Sequence, residues 1–242
     1  MTLQEAIEIR KSKRKYLGTP IAADKLVKIN ELIKEFNQLG DFRFELVTNS
    51  GQPFNGLLKS YGMFSGVNNY LGLIAVEKDK LAEEMLGYYG ELLVLHLTTM
   101  NLDTCWVSGS YSKKDLPFKL NRNEVVVCTI TLGNAIETES GKENFIRKVT
   151  HRKTKKLKDM YVSDDEIPQW FIDGMTAVQK APSAANKQPV KFIYEDNQVY
   201  AIMENFNLMG KGLDFGIAKL HFELGAKNGT WEWGNGGEFV RE

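Results

Sequence analysis

The stretch Ala181-Pro182-Ser183-Ala184-Ala185-Asn186-Lys187-Gln188-Pro189 decides how this chain is read. It has a proline near each end and small or amide residues between, so it reads as a loop. On its N-terminal side, Ser163 and Glu166 have capping-box spacing and Pro168 falls in the first turn of a helix that runs to about Lys180. On its C-terminal side, residues 190–195 and 198–203 alternate as two strands around Asp196-Asn197, a hairpin signal. A last helix is expected over 212–226, with Ile217, Leu220, His221 and Leu224 on one face.

The N-terminal part has the same kinds of element. Thr2 and Glu5 form a capping box ahead of the apolar positions Leu3, Ala6 and Ile7. The basic run Arg10-Lys11-Ser12-Lys13-Arg14 follows. Residues 24–39 read as a helix stopped by Gly40, and 42–47 as a strand. Residues 49–69 read as a loop and 70–76 as a buried strand. Residues 80–102 form the longest helix, apolar on most sides; 124–132 is a strand ending at Gly133, and 134–160 a basic surface connection.

The two parts echo each other. Arg10 to Arg14 resembles Arg152-Lys153-Thr154-Lys155-Lys156, and Ile29, Ile33 and Phe36 fall on Phe171, Met175 and Val178 at the same displacement (152 − 10 = 142). Further on, Leu95-His96-Leu97 with Trp106 and Gly109 matches Leu220-His221-Phe222 with Trp231 and Gly234 (221 − 96 = 125). Two blocks in one order imply an internal duplication: a first half over 1–150 and a shorter second half over 151–242, facing each other as a dimer fused into one chain.

The basic run lies near a helix C-terminus, where the backbone dipole disfavours anions. A phosphate there needs side-chain cations: Arg10 and Arg14 offer forked donors and Ser12 a hydroxyl. Solvated charges complementing the dipole are the alternative. The second basic segment, 147–158, has no interleaved aromatics, so a solvated connection is expected before a phosphate contact, and nucleic acid last.

The segments RKSKR (10–14) and PSAANKQP (182–189) together resemble the flavin nitroreductases, which carry Arg-x-Ser-x-Arg after a first helix and Pro-Ser-x-x-Asn-x-Gln-Pro between a helix and a strand. Thr104 to Gly109 and the strand ending at Leu132-Gly133 resemble that family's elements near the flavin. The resemblance implies an α+β nitroreductase-like fold, with antiparallel and mixed sheets wrapped by helices, and FMN as cofactor. It implies that Arg10, Lys11, Ser12 and Arg14 hold the phosphate and ribityl chain. Pro182, Ser183, Asn186 and Gln188 would reach across from the second half, and Val107, Ser108 and Gly109 would supply backbone donors to the ring.

In ordinary members the Pro-Ser loop comes early. Here Phe36-Asn37-Gln38-Leu39-Gly40 stands in its place, as in a divergent single-chain group in which one chain imitates the dimer. A second site would pair Arg152 with that degenerate loop, so one flavin per chain is expected. The implied activity is ping-pong transfer from NADH or NADPH to a nitroaromatic, quinone or similar acceptor; a flavin-binding storage or sensory protein is the alternative. The flavin carries the redox chemistry, and no catalytic acid or base is nominated. No Gly-rich dinucleotide fingerprint is present, so nicotinamide would bind only in passing.

Composition fits these expectations. A formal net charge of +0 gives no global attraction to nucleic acid or anionic membrane, so any anion site is local. No apolar run reaches membrane-span length and the N-terminus is no signal peptide, which points to the cytoplasm. The duplication makes a monomer, an internal pseudo-dimer, the expected state, with further dimerisation as the alternative. Cys105 and Cys128 read as small buried hydrophobes, His96 and His221 as core or interface residues with no metal, and Trp231 and Trp233 as core packing.

Overall fold

The computed structural model describes residues 1–54, 56, 60, 62–136, 154–208 and 210–241. Five α-helices are described: α1 (Leu3–Ile9), α2 (Ala23–Phe36), α3 (Lys80–Thr99), α4 (Gln169–Lys180) and α5 (Lys211–Ala226). Strands β1 (Phe42–Val47), β2 (Asn69–Val76), β3 (Asp103–Val107) and β4 (Glu124–Gly133) form an antiparallel sheet in the order β1-β2-β4-β3. A second sheet has the order β5 (Tyr161–Val162), β6 (Lys191–Glu195), β7 (Gln198–Ile202), with β5 parallel to β6 and β6 antiparallel to β7. β8 (Gly229–Trp231) and β9 (Phe239–Arg241) form a separate hairpin, tied to β7 by a bridge between Tyr200 and Glu238. The fold is therefore α+β. From α2 onward the order α-β-β-α-β-β occurs twice, as α2-β1-β2-α3-β3-β4 and, after β5, as α4-β6-β7-α5-β8-β9.

α3 and α5 lie at the centre. They cross so closely that a Cβ on Gly216 would overlap the carbonyl oxygen of Glu84, and one on Gly87 that of Leu213. Only glycine allows such an approach. The contact is locked by a buried ion pair, Lys219 Nζ to Glu84 Oε1 at 2.6 Å. Lys219 also donates to the carbonyls of Glu232 and Gly234, and Glu84 Oε2 accepts from Gly234 N–H. Every strong donor and acceptor in this buried cluster is thus paired, which such burial requires. Each sheet has its own core: Ile29, Phe44, Leu73 and Leu93 in the first, Phe171, Phe192, Val199 and Phe222 in the second. α1 rests on the junction, burying Ala6 and Ile7 against Leu95 of α3, Ala177 of α4 and Leu220 of α5.

Thr2 and Glu5 form the expected capping box, each side chain accepting from the other's backbone N–H. The second one does not form. Pro168 is the N-cap of α4, which begins at Gln169, and Ser163 instead bonds Asp165 in a turn. Proline pushes the residue before it toward extended backbone, so a helix starting near Ser163 could not run through Ile167. Among the described residues no helix is long and apolar enough to cross a membrane.

Candidate functional site

α1 ends at Arg10, whose backbone turns extended (φ −55, ψ 127). The chain then runs beside the edge strand β3: Ser12 bridges Thr104 in parallel, and Lys13 N–H donates to Thr104 O at 2.9 Å. On extended backbone alternate side chains share a face. Arg10, Ser12 and Arg14 accordingly line one cleft, while Lys11, exposed, does not. The Arg-x-Ser-x-Arg spacing is thus the period of an edge strand. The cleft has a volume of about 1090 Å³, at the upper end of the roughly 300–1,000 Å³ usual for ligand pockets.

Arg10 is held from behind. Its side chain is 10% exposed, and its Nε lies 3.5 Å from Oε1 of the fully buried Glu91 of α3 without forming a hydrogen bond. Glu91 also accepts from Trp106 Nε1 at 2.7 Å and faces His221 Nε2 at 3.1 Å. The other ring nitrogen, His221 Nδ1, lies 3.1 Å from the carbonyl of Ala177. A carbonyl only accepts, so Nδ1 is the donor to Ala177 O, and Nε2 is the ring nitrogen that faces Glu91. Glu91 therefore links α1, α3, α5 and β3 beneath the cationic wall.

The opposite wall is the 181–189 loop, in which Pro182, Ser183, Ala184, Ala185 and Asn186 line the cleft. Gln188 organises it from inside and is 4% exposed. Its Oε1 accepts from Lys155 N–H at 2.8 Å, its Nε2 donates to Gln179 O at 3.0 Å, and its own N–H donates to Ser183 Oγ at 2.9 Å. Lys155 Nζ caps the arrangement on Gln188 O. These bonds hold Ala185, Asn186 and Gln188 at φ 52, 49 and 46. For Ala185 left-handed backbone costs about 1–2 kcal/mol, a strain that persists only where surroundings over-determine it. The loop is tied to α5 by Ala184 N–H, which donates to Asp214 Oδ1 at 3.0 Å. Asp214 also lines the cleft, and burial pushes its carboxyl up to about 6, against the opposing pull of Ala184 N–H, Lys211 and Lys187.

The third wall is the end of β3, Trp106 to Ser110, backed by Met63, Phe64 and Val127. Burial raises the thiols of Cys105 and Cys128, the latter to about 12, so both stay protonated. Both are free and buried, as expected for structural cysteines.

A family model described as "Putative TM nitroreductase" matches residues 2–226. The chain belongs to that nitroreductase family. Membership supports an oxidoreductase. A "putative nitroreductase" of Thermotoga maritima MSB8 has a similar structure: TM-score 0.64, 19% identity, covering 99% of this chain and 92% of its own, which shows the shared fold. A nitroreductase with bound FMN from Bacteroides fragilis NCTC 9343 aligns over 58% of this chain and 91% of its own, at 17% identity and TM-score 0.44. An FMN-dependent nitroreductase from Clostridium difficile R20291 aligns over 61% and 97%, at 17% identity and TM-score 0.43. No curated protein matches the chain.

Nine of the residues singled out from sequence for a nitroreductase site line this one cleft: Arg10, Ser12, Arg14, Val107, Ser108, Gly109, Pro182, Ser183 and Asn186. Lys11 and Gln188 do not; the first points away and the second wires the loop. Arg152 lies outside the described residues, as does the basic segment from 147 to 153, while Thr154 lines the cleft. Of the matched histidines, His221 is buried and bonded whereas His96 is half-buried. Trp231 packs in the second core, and Trp233, at 36% exposure, packs edge-on against Tyr88. Sequence reading missed Asp214 and Glu91. Each is an acid within a helix rich in apolar residues, and Glu91 falls seven positions after Glu84 on the same face (91 − 84 = 7), which was the available signal.

Proposed function

We propose that the cleft binds one FMN and that the protein is an FMN-dependent NAD(P)H oxidoreductase acting on a nitroaromatic, quinone or similar acceptor. The observation that carries this reading is the convergence of Arg10, Ser12 and Arg14 with the 182–186 loop on a single cleft, though some 170 positions separate them in sequence (182 − 14 = 168). The donor set fits the cofactor. Arg10 lines the cleft and is nine-tenths buried, with Glu91 3.5 Å from its Nε, which fixes a forked cation in the cleft wall. The apolar side chains of Met63, Phe64, Trp106 and Leu213 supply a wall for a flat ring.

FMN, when bound, supplies the hydride chemistry. Arg10 and Arg14 neutralise its phosphate, Ser12 and Asn186 hydrogen-bond its chain, and backbone around Ser108 and Gly109 orients the ring. A nicotinamide and an acceptor use this one cleft in turn.

We also infer that the chain consists of two duplicated halves, 1–150 and 151–242, that pack as a monomeric pseudo-dimer with a single flavin site. The repeated α-β-β-α-β-β order and the burial of matched Ile29, Ile33, Phe36 and Phe171, Met175, Val178 support this. Freshly purified protein should show flavin absorbance near roughly 450 nm and oxidise NADH or NADPH in the presence of a quinone. Retained flavin that neither nucleotide reduces would favour storage; protein that takes up no FMN would overturn the reading.

A further inference from the structure

We propose that Asp214 is the general acid of this cleft, giving a proton to the acceptor oxygen as the acceptor is reduced; this rests on the oxidoreductase reading above. Asp214 sits in the first turn of α5, is 7% exposed, and lines the cleft between the loop and the apolar wall. Among the described residues its carboxyl accepts one hydrogen bond, Ala184 N–H to Oδ1, which leaves Oδ2 for a proton. Among the described residues no other carboxyl whose side chain is buried lines the cleft, and Arg10 and Arg14 cannot serve, since arginine does not release a proton at ordinary pH; Lys180 and Lys211 also line the cleft and are the other proton donors against which the test discriminates.

The charged and titratable groups around Asp214 are Lys211 on its own helix, Lys187 on the loop and Cys128 on β4. The lysines favour the carboxylate, burial outweighs them, and the Cys128 thiol stays neutral. A carboxyl held near 6 is half-protonated near neutrality's acid side, where a general acid works well. The balance is simple. A quinone takes a hydride, originating from the nicotinamide nucleotide, and one proton to become a hydroquinone. The Asp214 O–H bond breaks as the O–H bond on the acceptor forms, and solvent reprotonates the carboxylate through the open cleft.

The test compares wild type with Asp214→Asn, which keeps an oxygen for Ala184 N–H, and with Asp214→Glu, which keeps the acid. A quinone needs the proton; ferricyanide takes electrons only. We expect D214N to retain FMN and ferricyanide reduction while quinone reduction falls on the order of 100-fold, with recovery in D214E. A second readout needs no turnover: ¹³C NMR of labelled aspartate in the flavin-free protein should show a carboxyl titrating near pH 6, missing in D214N. Equal rates of wild type and D214N with both acceptors, or a titration below about pH 4, would overturn the role. A wild type that binds no FMN would overturn the functional reading itself, whatever the carboxyl titration shows.

Discussion

The connection from α2 to β1 and the connection from α4 to β6 follow matched helices, yet they behave differently. In the first, Asn37 turns its whole amide onto its own neighbourhood: Oδ1 accepts from Phe44 N–H at 2.7 Å and Nδ2 donates to Phe44 O at 3.1 Å. Gln38 and Leu39 donate back to Glu35 and Phe36, and the turn closes over buried Phe36 and Phe42. The second connection is bonded outward, to Gln179 of α4, to Lys155 of the preceding segment and to Asp214 of α5. A loop tied to its own strand only ends a helix. A loop tied also to the preceding segment and to α5 becomes a wall, and its backbone can be held in left-handed conformations that a free turn would relax.

The largest effect that separates the two connections concerns Asp214, which among the described residues has no counterpart bonding the first loop. A carboxyl raised from 3.8 to about 6 binds its proton more tightly in the folded protein than in the unfolded chain. Its contribution to stability is therefore present at low pH and is lost as pH rises from about 4 through 6. At about 1.4 kcal/mol per unit, this amounts to roughly 3 kcal/mol. Denaturant unfolding of wild type and Asp214→Asn at pH 4 and pH 7 should differ in pH slope by that amount; parallel slopes would count against it.

Next come the cations that only the second loop faces. Arg14→Ala should weaken FMN binding by about 1.5–3 kcal/mol, the scale of a charge-assisted hydrogen bond. Fluorescence titration checks this. Asn37→Ala should leave FMN affinity unchanged but cost about 1–2 kcal/mol of stability for the lost amide clasp, read by urea denaturation. The smallest effect is that of Ala185→Gly, which relieves the φ of 52 and should stabilise the protein by up to about 1 kcal/mol while loosening the loop.

Much of this was legible in the letters. Strand 42–47 and the helix spans fall within a few residues of their sequence boundaries, because their apolar periods are long and uninterrupted. The RKSKR segment reads as a site through its forked cations and its family resemblance, while the extended backbone that turns Arg10, Ser12 and Arg14, but not Lys11, to the cleft shows only in the structure. Three further features were not legible. β8 and β9 are too short to have a period. The start of α4 is set by Pro168, overriding the nearer cap signal at Ser163. Glu91 and Asp214 acquire their roles only when α3 and α5 cross, since nothing local pairs Glu91 with a histidine 130 positions away (221 − 91 = 130).

The central claim is that one flavin lies between residues 10–14 and the 182–186 loop. Calorimetric titration of flavin-free protein with FMN tests it most directly, on wild type, Asn186→Ala and Asn37→Ala. The account predicts one FMN per chain, weaker binding for N186A and unaltered binding for N37A. Two FMN per chain, or equal losses from both substitutions, would contradict it.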